Sequence, residues 1–370
     1  MTPQPIELIQ IPDYQQIKQN FLKELTRASQ GKTSSLLFVK HPLPAKPLIT
    51  QGIIQGIVIG GTNYILTTEK IKSDGTWEII ERKTGSLPIF ETKKMFVDFL
   101  SEHLDQRASA IGVNFGFPME TTVGSEGELD GKLLYRTKEH SFKGLLHEQL
   151  GKLVKTILKN RYNKTPLVSV ANDTICLALC GTGEENGSLV AGTGFNMGLV
   201  LREQEQKVIV NLEAGDFNKF SQSPILKQID AESEFPGSHL FEKNISGVYL
   251  PKHFNLWVKK LNVIVPPVHT GQELSAIAHK YHDETARDVA RTLLLQSACL
   301  TAAAIAGTYE FFDKPNSFTI IGEGGLLWDG WHYYENIQKQ LTAFGYNKNR
   351  ITIKNIKHSS INGAIGLITK

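Results

Sequence analysis

Cysteine is scarce. Three residues, Cys176, Cys180 and Cys299, in a chain of 370 exclude a disulfide framework. Cys176 and Cys180 have the spacing of one helix face, which suits small apolar core residues. No apolar run reaches the roughly 18–20 residues needed to span a bilayer. The opening stretch MTPQPIELIQIPDY lacks a basic segment followed by an apolar core, so no secretory signal is expected. An excess of one charge is also lacking: 40 basic side chains are interspersed with 37 acidic ones, for a net +3. That removes the electrostatic case for nucleic acid or an anionic membrane as a partner. A reduced, cytoplasmic protein is expected, in which the sequons at Asn163 and Asn244 carry no weight.

Several signatures of chemistry are missing too. No GxxxxGK[ST] run occurs, which excludes a Walker-type phosphate loop, and there is no protein-kinase HRD or DFG set. HKYHDE (279–284) offers two histidines three apart without the further ligands a metal site needs, so no metal site is expected from it. What is present is SLVAGTGFNMGLV (188–200), a Gly-Thr-Gly turn between two apolar strands. A dinucleotide fingerprint needs a helix after the turn. A hairpin tip of small residues has another use, because its backbone N–H groups converge into an anion-binding nest.

At this length two lobes are expected. Hydrophobic spacing predicts helices over 13–29, 92–104, 143–160 and 286–311, a short helix from Thr174, and strands at 108–116, 166–173 and 318–322. The Pro-rich stretch 42–48 reads as a connector. A strand, Gly-containing turn and strand occur at Gly60 and again at Gly192, each followed later by a helix and a further strand. Such a duplication implies two nests facing one cleft. In SVANDTICL (169–177) the Asn-Asp pair reads either as a helix cap or as a carboxylate at the carboxyl end of a strand.

Ten segments in order resemble the hexokinase family of eukaryotic-type sugar kinases. They are TSSLLFVKHPLP (33–44), GGTN (60–63), FGFP (115–118), LDGKLLYRTK (129–138), VANDT (170–174), GTGFN (192–196), NLEAGDF (211–217), FEKNISGVYL (241–250), IGEGGLLW (321–328) and SSINGAIGL (359–367). The resemblance implies an α/β, two-lobed actin-like ATPase fold, a ribonuclease H-like duplication with mixed sheets, flanking helices and a central cleft. It implies a small lobe of 49–173 with the final helix 359–370, and a large lobe of 174–358 with residues 1–48. It implies ATP-dependent phosphorylation of the 6-hydroxyl of a hexose, with Asp173 as general base and ATP and Mg²⁺ as cofactors. The implied sugar-binding residues are Thr137, Lys138, Asn172, Asp173, Asn196, Glu213 and Glu242. The implied phosphate-binding residues are Gly60, Gly61, Thr62, Asn63, Gly192, Thr193, Gly194, Gly324, Gly325 and Ser360. Amides and carboxylates suit a pyranose, whose hydroxyls both donate and accept hydrogen bonds.

Four positions depart from the family pattern. Val58 stands where the family has the aspartate that holds magnesium through water, and Ile65 where it has an arginine near the phosphates. Gly116 replaces a sugar-contacting serine, and Phe195 replaces a threonine or serine. A second function therefore accompanies the first: a sugar-binding sensor or regulator of hexokinase descent with impaired catalysis. The preferred hexose and the oligomeric state are left open.

Overall fold

The computed structural model describes residues 9, 11–44, 46–61, 63–117, 119–134, 141–182, 184–204 and 206–370. Its strands are β1 (Val39–Pro42), β2 (Gly52–Ile59), β3 (Asn63–Ile71), β4 (Trp77–Ser86), β5 (Ala110–Phe115), β6 (Met119–Val123) and β7 (Leu129–Leu133). They continue as β8 (Leu167–Ala171), β9 (Gly187–Ala191), β10 (Phe195–Glu203), β11 (Gln206–Asn211), β12 (Phe318–Glu323) and β13 (Ile351–Asn355). A five-stranded sheet has the order β4-β3-β2-β5-β8, a six-stranded sheet the order β1-β11-β10-β9-β12-β13, and β6 pairs with β7.

The chain divides into two compact units. One comprises 1–39, 189–197 and 211–355; the other comprises 40–188, 198–210 and 356–370. The division does not fall at residue 173, because the helix Asp173–Leu179 packs against the final helix Ser359–Thr369. The approach is close: a Cβ on Gly363 would lie 2.1 Å from the Cys176 carbonyl oxygen.

The five-stranded sheet belongs wholly to the second unit. Its side chains alternate with period two, as a sheet covered on both faces requires. Ile57, Ile59, Ile111, Val113 and Phe115 face the helices Lys93–His103 and Leu150–Tyr162. Ile54 and Ala110 face Ile365 and Ile368 of the final helix. Gly112 lets that helix approach, since a Cβ there would lie 1.8 Å from the Ala364 carbonyl oxygen. Pro42 closes β1, an edge strand, where its missing N–H costs no ladder bond.

Two expectations need correction. The helix expected over 143–160 starts only at Leu150. Gly144 and His147 adopt left-handed backbone (φ 82° and 66°), and the His147 N–H donates to the Leu133 carbonyl (2.7 Å), so the preceding residues form turns. The helix Glu284–Phe311 is long and apolar enough by length and composition to cross a membrane, contrary to the sequence reading. In the structure it is mostly buried inside the first unit.

His41 on β1 is buried, and neither ring nitrogen has a hydrogen-bond partner among the described residues. Burial pushes its pKa down to about 4. Above pH 6.5 the ring is neutral whether the chain is folded or unfolded. As pH falls from 6.5 toward 4 the unfolded chain takes the proton first, and stability falls by an amount on the order of 3 kcal/mol. Thermal unfolding of the wild type and His41→Leu between pH 7.5 and 4.5 checks this. The variant is expected to lose less of its melting temperature on acidification, and equal losses would contradict the assignment.

Candidate functional site

β9 and β10 form the hairpin expected around Gly192, whose tip falls in the first unit, with the Gly192 N–H donating to the Gly194 carbonyl (3.0 Å). No helix follows the turn. Gly324 adopts φ 127°, and a Cβ there would lie 2.2 Å from the Ala191 carbonyl oxygen. A Cβ on Gly192 would lie 3.2 Å from the Gly324 Cα. The turns at Gly192–Gly194 and Gly324–Gly325, far apart in sequence, therefore meet backbone to backbone. The Gly247 N–H donates to the Gly192 carbonyl (2.8 Å) and the Val248 N–H to the Thr193 carbonyl (3.3 Å), which fixes the tip.

The polar residues expected at this end form one network. The Asn196 amide donates to Asn211 Oδ1 (3.0 Å), and the Asn211 amide donates to Glu213 Oε1 (2.7 Å). Asn211 Oδ1 also accepts from the Glu213 N–H (3.2 Å). Asn196 Oδ1 accepts from the N–H groups of Met197 (2.7 Å) and Ala214 (3.0 Å). Glu242, in the helix Leu240–Ile245, accepts from the Phe195 N–H at Oε2 (2.9 Å). A Cβ on Gly194 would lie 2.9 Å from that oxygen, so glycine also admits the carboxylate. Asn196, Glu213 and Glu242 are half-buried, which leaves their polar atoms partly reachable from solvent. Phe195 instead packs edge-on against Phe241 in the core (centroids 5.5 Å).

Three polar residues here escaped the sequence reading. Asn211 was legible only as part of NLEAGDF, and its role as the link between Asn196 and Glu213 depends on strand pairing. Asp216 and His239 form a pair (2.9 Å) across 23 residues of sequence.

In the second unit β2, β5 and β8 run parallel, with Ile59 opposite Phe115 and Asn114 opposite Ala171. The hairpin at Gly60, the turn at Gly116 and the Asn172-Asp173 step therefore lie at one carboxyl end of the sheet, where α/β folds keep their chemistry. The Gly60 N–H donates to the Asn63 carbonyl (3.0 Å), closing a hairpin between β2 and β3. Asn172 takes the capping role: its Oδ1 accepts from the Ile175 N–H (3.0 Å). Asp173 is thus free of that duty. Its Oδ1 accepts from the Thr174 N–H (2.8 Å) and hydroxyl (3.3 Å), and its Oδ2 accepts no hydrogen bond among the described residues. Ser360 lies in the first turn of the final helix, and its carbonyl accepts from the Asn114 amide (3.2 Å). Thr62, Thr137 and Lys138 lie outside the described residues.

Magnesium prefers octahedral oxygen ligands, with one or two carboxylates beside phosphate and water. Val58 is buried and clusters with Ile361, Ala364 and partly buried Ile65. These side chains offer no oxygen donor and do not fit the ion. No group of three or more His, Cys, Asp or Glu side chains suited to a metal occurs among the described residues.

Comparison with known proteins bears on both halves. The family model "Hexokinase" matches residues 186–275. A hexokinase of Schistosoma mansoni is 25% identical over 255 residues, covering 61% of this chain and 56% of that protein. The chain thus spans little more than half the length of that relative. In structure, a Schistosoma mansoni hexokinase complexed with glucose aligns with a TM-score of 0.81 at 20% identity, covering 96% of this chain and 94% of that one. A ROK family glucokinase of Streptomyces griseus in complex with glucose and AMPPNP aligns with a TM-score of 0.50 at 16% identity, covering 86% and 98%. The fold is the expected two-lobed actin-like one, and the resemblance to hexokinases read from the motifs is borne out.

The apolar setting of Val58 is testable. Val58→Asp buries a carboxylate against Ile361 and Ala364, at a cost on the order of 3 kcal/mol. Calorimetric unfolding is expected to show a clearly lower melting temperature. An unchanged or higher value would mean that the position can hold a charge after all.

Proposed function

We propose that this relative of the hexokinases transfers the γ-phosphoryl group of ATP to the 6-hydroxyl of a hexose, glucose in the first instance. The observation that carries this reading is the network of Asn196, Asn211 and Glu213, with the Glu242 carboxylate held beside it by the Phe195 N–H. Half-buried amides and carboxylates, held by backbone and by one another, match a ring of hydroxyls. A sugar lacking one hydroxyl leaves a polar group unpaired, which is how such a set discriminates. The glucose complex of a structurally similar hexokinase supports the choice of sugar, and the AMPPNP complex of a more distant relative supports a nucleoside triphosphate as donor.

Asp173 is the proposed general base. Thr174 orients the carboxylate through Oδ1, which leaves Oδ2 to take the proton as the hydroxyl oxygen attacks phosphorus. The glycine-tipped turns at Gly60, Gly192 and Gly324 are proposed to hold the triphosphate through backbone N–H groups. Alignment and charge stabilisation then supply most of the acceleration, since phosphoryl transfer asks little covalent work of a protein. Magnesium carried by the nucleotide would supply countercharge; the side chains around Val58 do not fit it.

A coupled assay with ATP, Mg²⁺ and glucose on the wild type and Asp173→Asn tests the proposal. Turnover is expected to fall about 10²- to 10⁴-fold in the variant, while calorimetry still registers glucose binding. Equal turnover in the two proteins would remove Asp173 from the role of base. Glucose binding without wild-type turnover would assign the chain to the sensor reading instead.

A further inference from the structure

Asp216 and His239 tie together the two segments that carry the glutamates. Asp216 ends the 3₁₀ turn Ala214–Asp216 that follows Glu213, and His239 is the residue before the helix that carries Glu242. A single carboxylate oxygen, Asp216 Oδ1, accepts from both the backbone N–H and the ring Nδ1 of His239, each at 2.9 Å. Glu213 and His239 both adopt left-handed backbone (φ 44° and 53°). Such conformations are strained in non-glycine residues and persist only where surrounding contacts impose them. The Asp216 clamp is such a contact.

Among the described residues, the charged groups acting on His239 include Asp216 and Glu213 from the turn and Glu242 from its own helix, and Lys243 acts on its partner Asp216. Lys243 in the same helix has its ammonium occupied, donating to Asp230 Oδ1 (2.6 Å) and the Phe235 carbonyl (2.7 Å). The bond to Asp216 raises the imidazole pKa above its ordinary value, against the opposing effect of burial. Burial pushes the Asp216 carboxyl up, but its bonds to His239 outweigh this and hold it below the ordinary range. Both shifts favour the form of the pair in which an imidazolium is bound to a carboxylate.

We propose that His239 is a positioning residue for the sugar, and that the chain binds hexose more tightly with His239 protonated than with it neutral. A hexose is uncharged, so direct attraction cannot produce this difference. The imidazolium acts by keeping the Glu213 turn and the Glu242 helix in register through Asp216. Loss of its proton weakens the clamp, because a neutral ring donates to the Asp216 carboxylate less strongly than an imidazolium does. The inference rests on the reading of this end as a sugar site.

Calorimetric titration with glucose from pH 6 to 9, on the wild type, His239→Gln and Asp216→Asn, tests it, alongside an NMR titration of the His239 ring. Wild-type Kd is expected to rise about three- to tenfold across the His239 titration, the linkage of a shift of up to one unit in a single group. His239→Gln, which still donates to Asp216 but does not titrate, is expected to give a flat profile. Asp216→Asn is expected to lower the pH of both the ring titration and the affinity change together. Identical pH profiles for the wild type and His239→Gln, or a His239 titration without a change in affinity, would overturn the proposal alone. Absence of glucose binding by the wild type at every pH would overturn the sugar reading and this proposal with it.

Discussion

Asn211 Oδ1 accepts two hydrogen bonds at once, from the Asn196 amide and from the backbone of Glu213, and the candidate sugar-binding end depends on that oxygen. Asn211 is itself buried, so each of its polar atoms needs a partner inside the protein. Satisfying it forces β10 and the turn after β11 to present Asn196 and Glu213 together. The Asn211 amide then fixes the Glu213 carboxylate. A polar network of this kind restricts side-chain freedom before a ligand arrives, which lowers the ordering cost of binding.

Glycine imposes the complementary constraint. Around Gly192, Gly194 and Gly324 the backbone and the Glu242 carboxylate come so close that side chains would collide. In the second unit Gly112 serves the fold by admitting the final helix, which also brings Ile361 and Ala364 over Val58. The same packing that anchors the helix thus makes the neighbourhood of position 58 apolar. The first hairpin keeps its backbone geometry while offering no side-chain oxygen from Val58 or Ile65.

Much of this was legible in the sequence, for identifiable reasons. The two hairpins could be read because apolar runs flank turns of small residues, and both signals are local. Asp173 and Asn172 could be separated only in the structure, where Asn172 caps the helix and Asp173 does not. The helix over 143–160 was read too long because Leu146 keeps a helical spacing with Leu150, Leu153 and Ile157, while the left-handed residues Gly144 and His147 that break it leave little mark on hydrophobicity. The helix over 286–311 was read, but not as long enough in apolar residues to span a membrane, because charged residues punctuate it early and small residues dilute it later. Asp216 and His239 could not have been paired from the sequence, since the contact depends on the folded path between them. The proposed chemistry, in turn, rests on residues that local sequence signals identify only in part.

A crystal structure of the chain grown with glucose tests the central claim most directly. The sugar's hydroxyls are expected within hydrogen-bond distance of Asn196, Glu213 and Glu242. Glucose bound elsewhere, or an empty Asn196–Glu213–Glu242 face at saturating sugar, would contradict it.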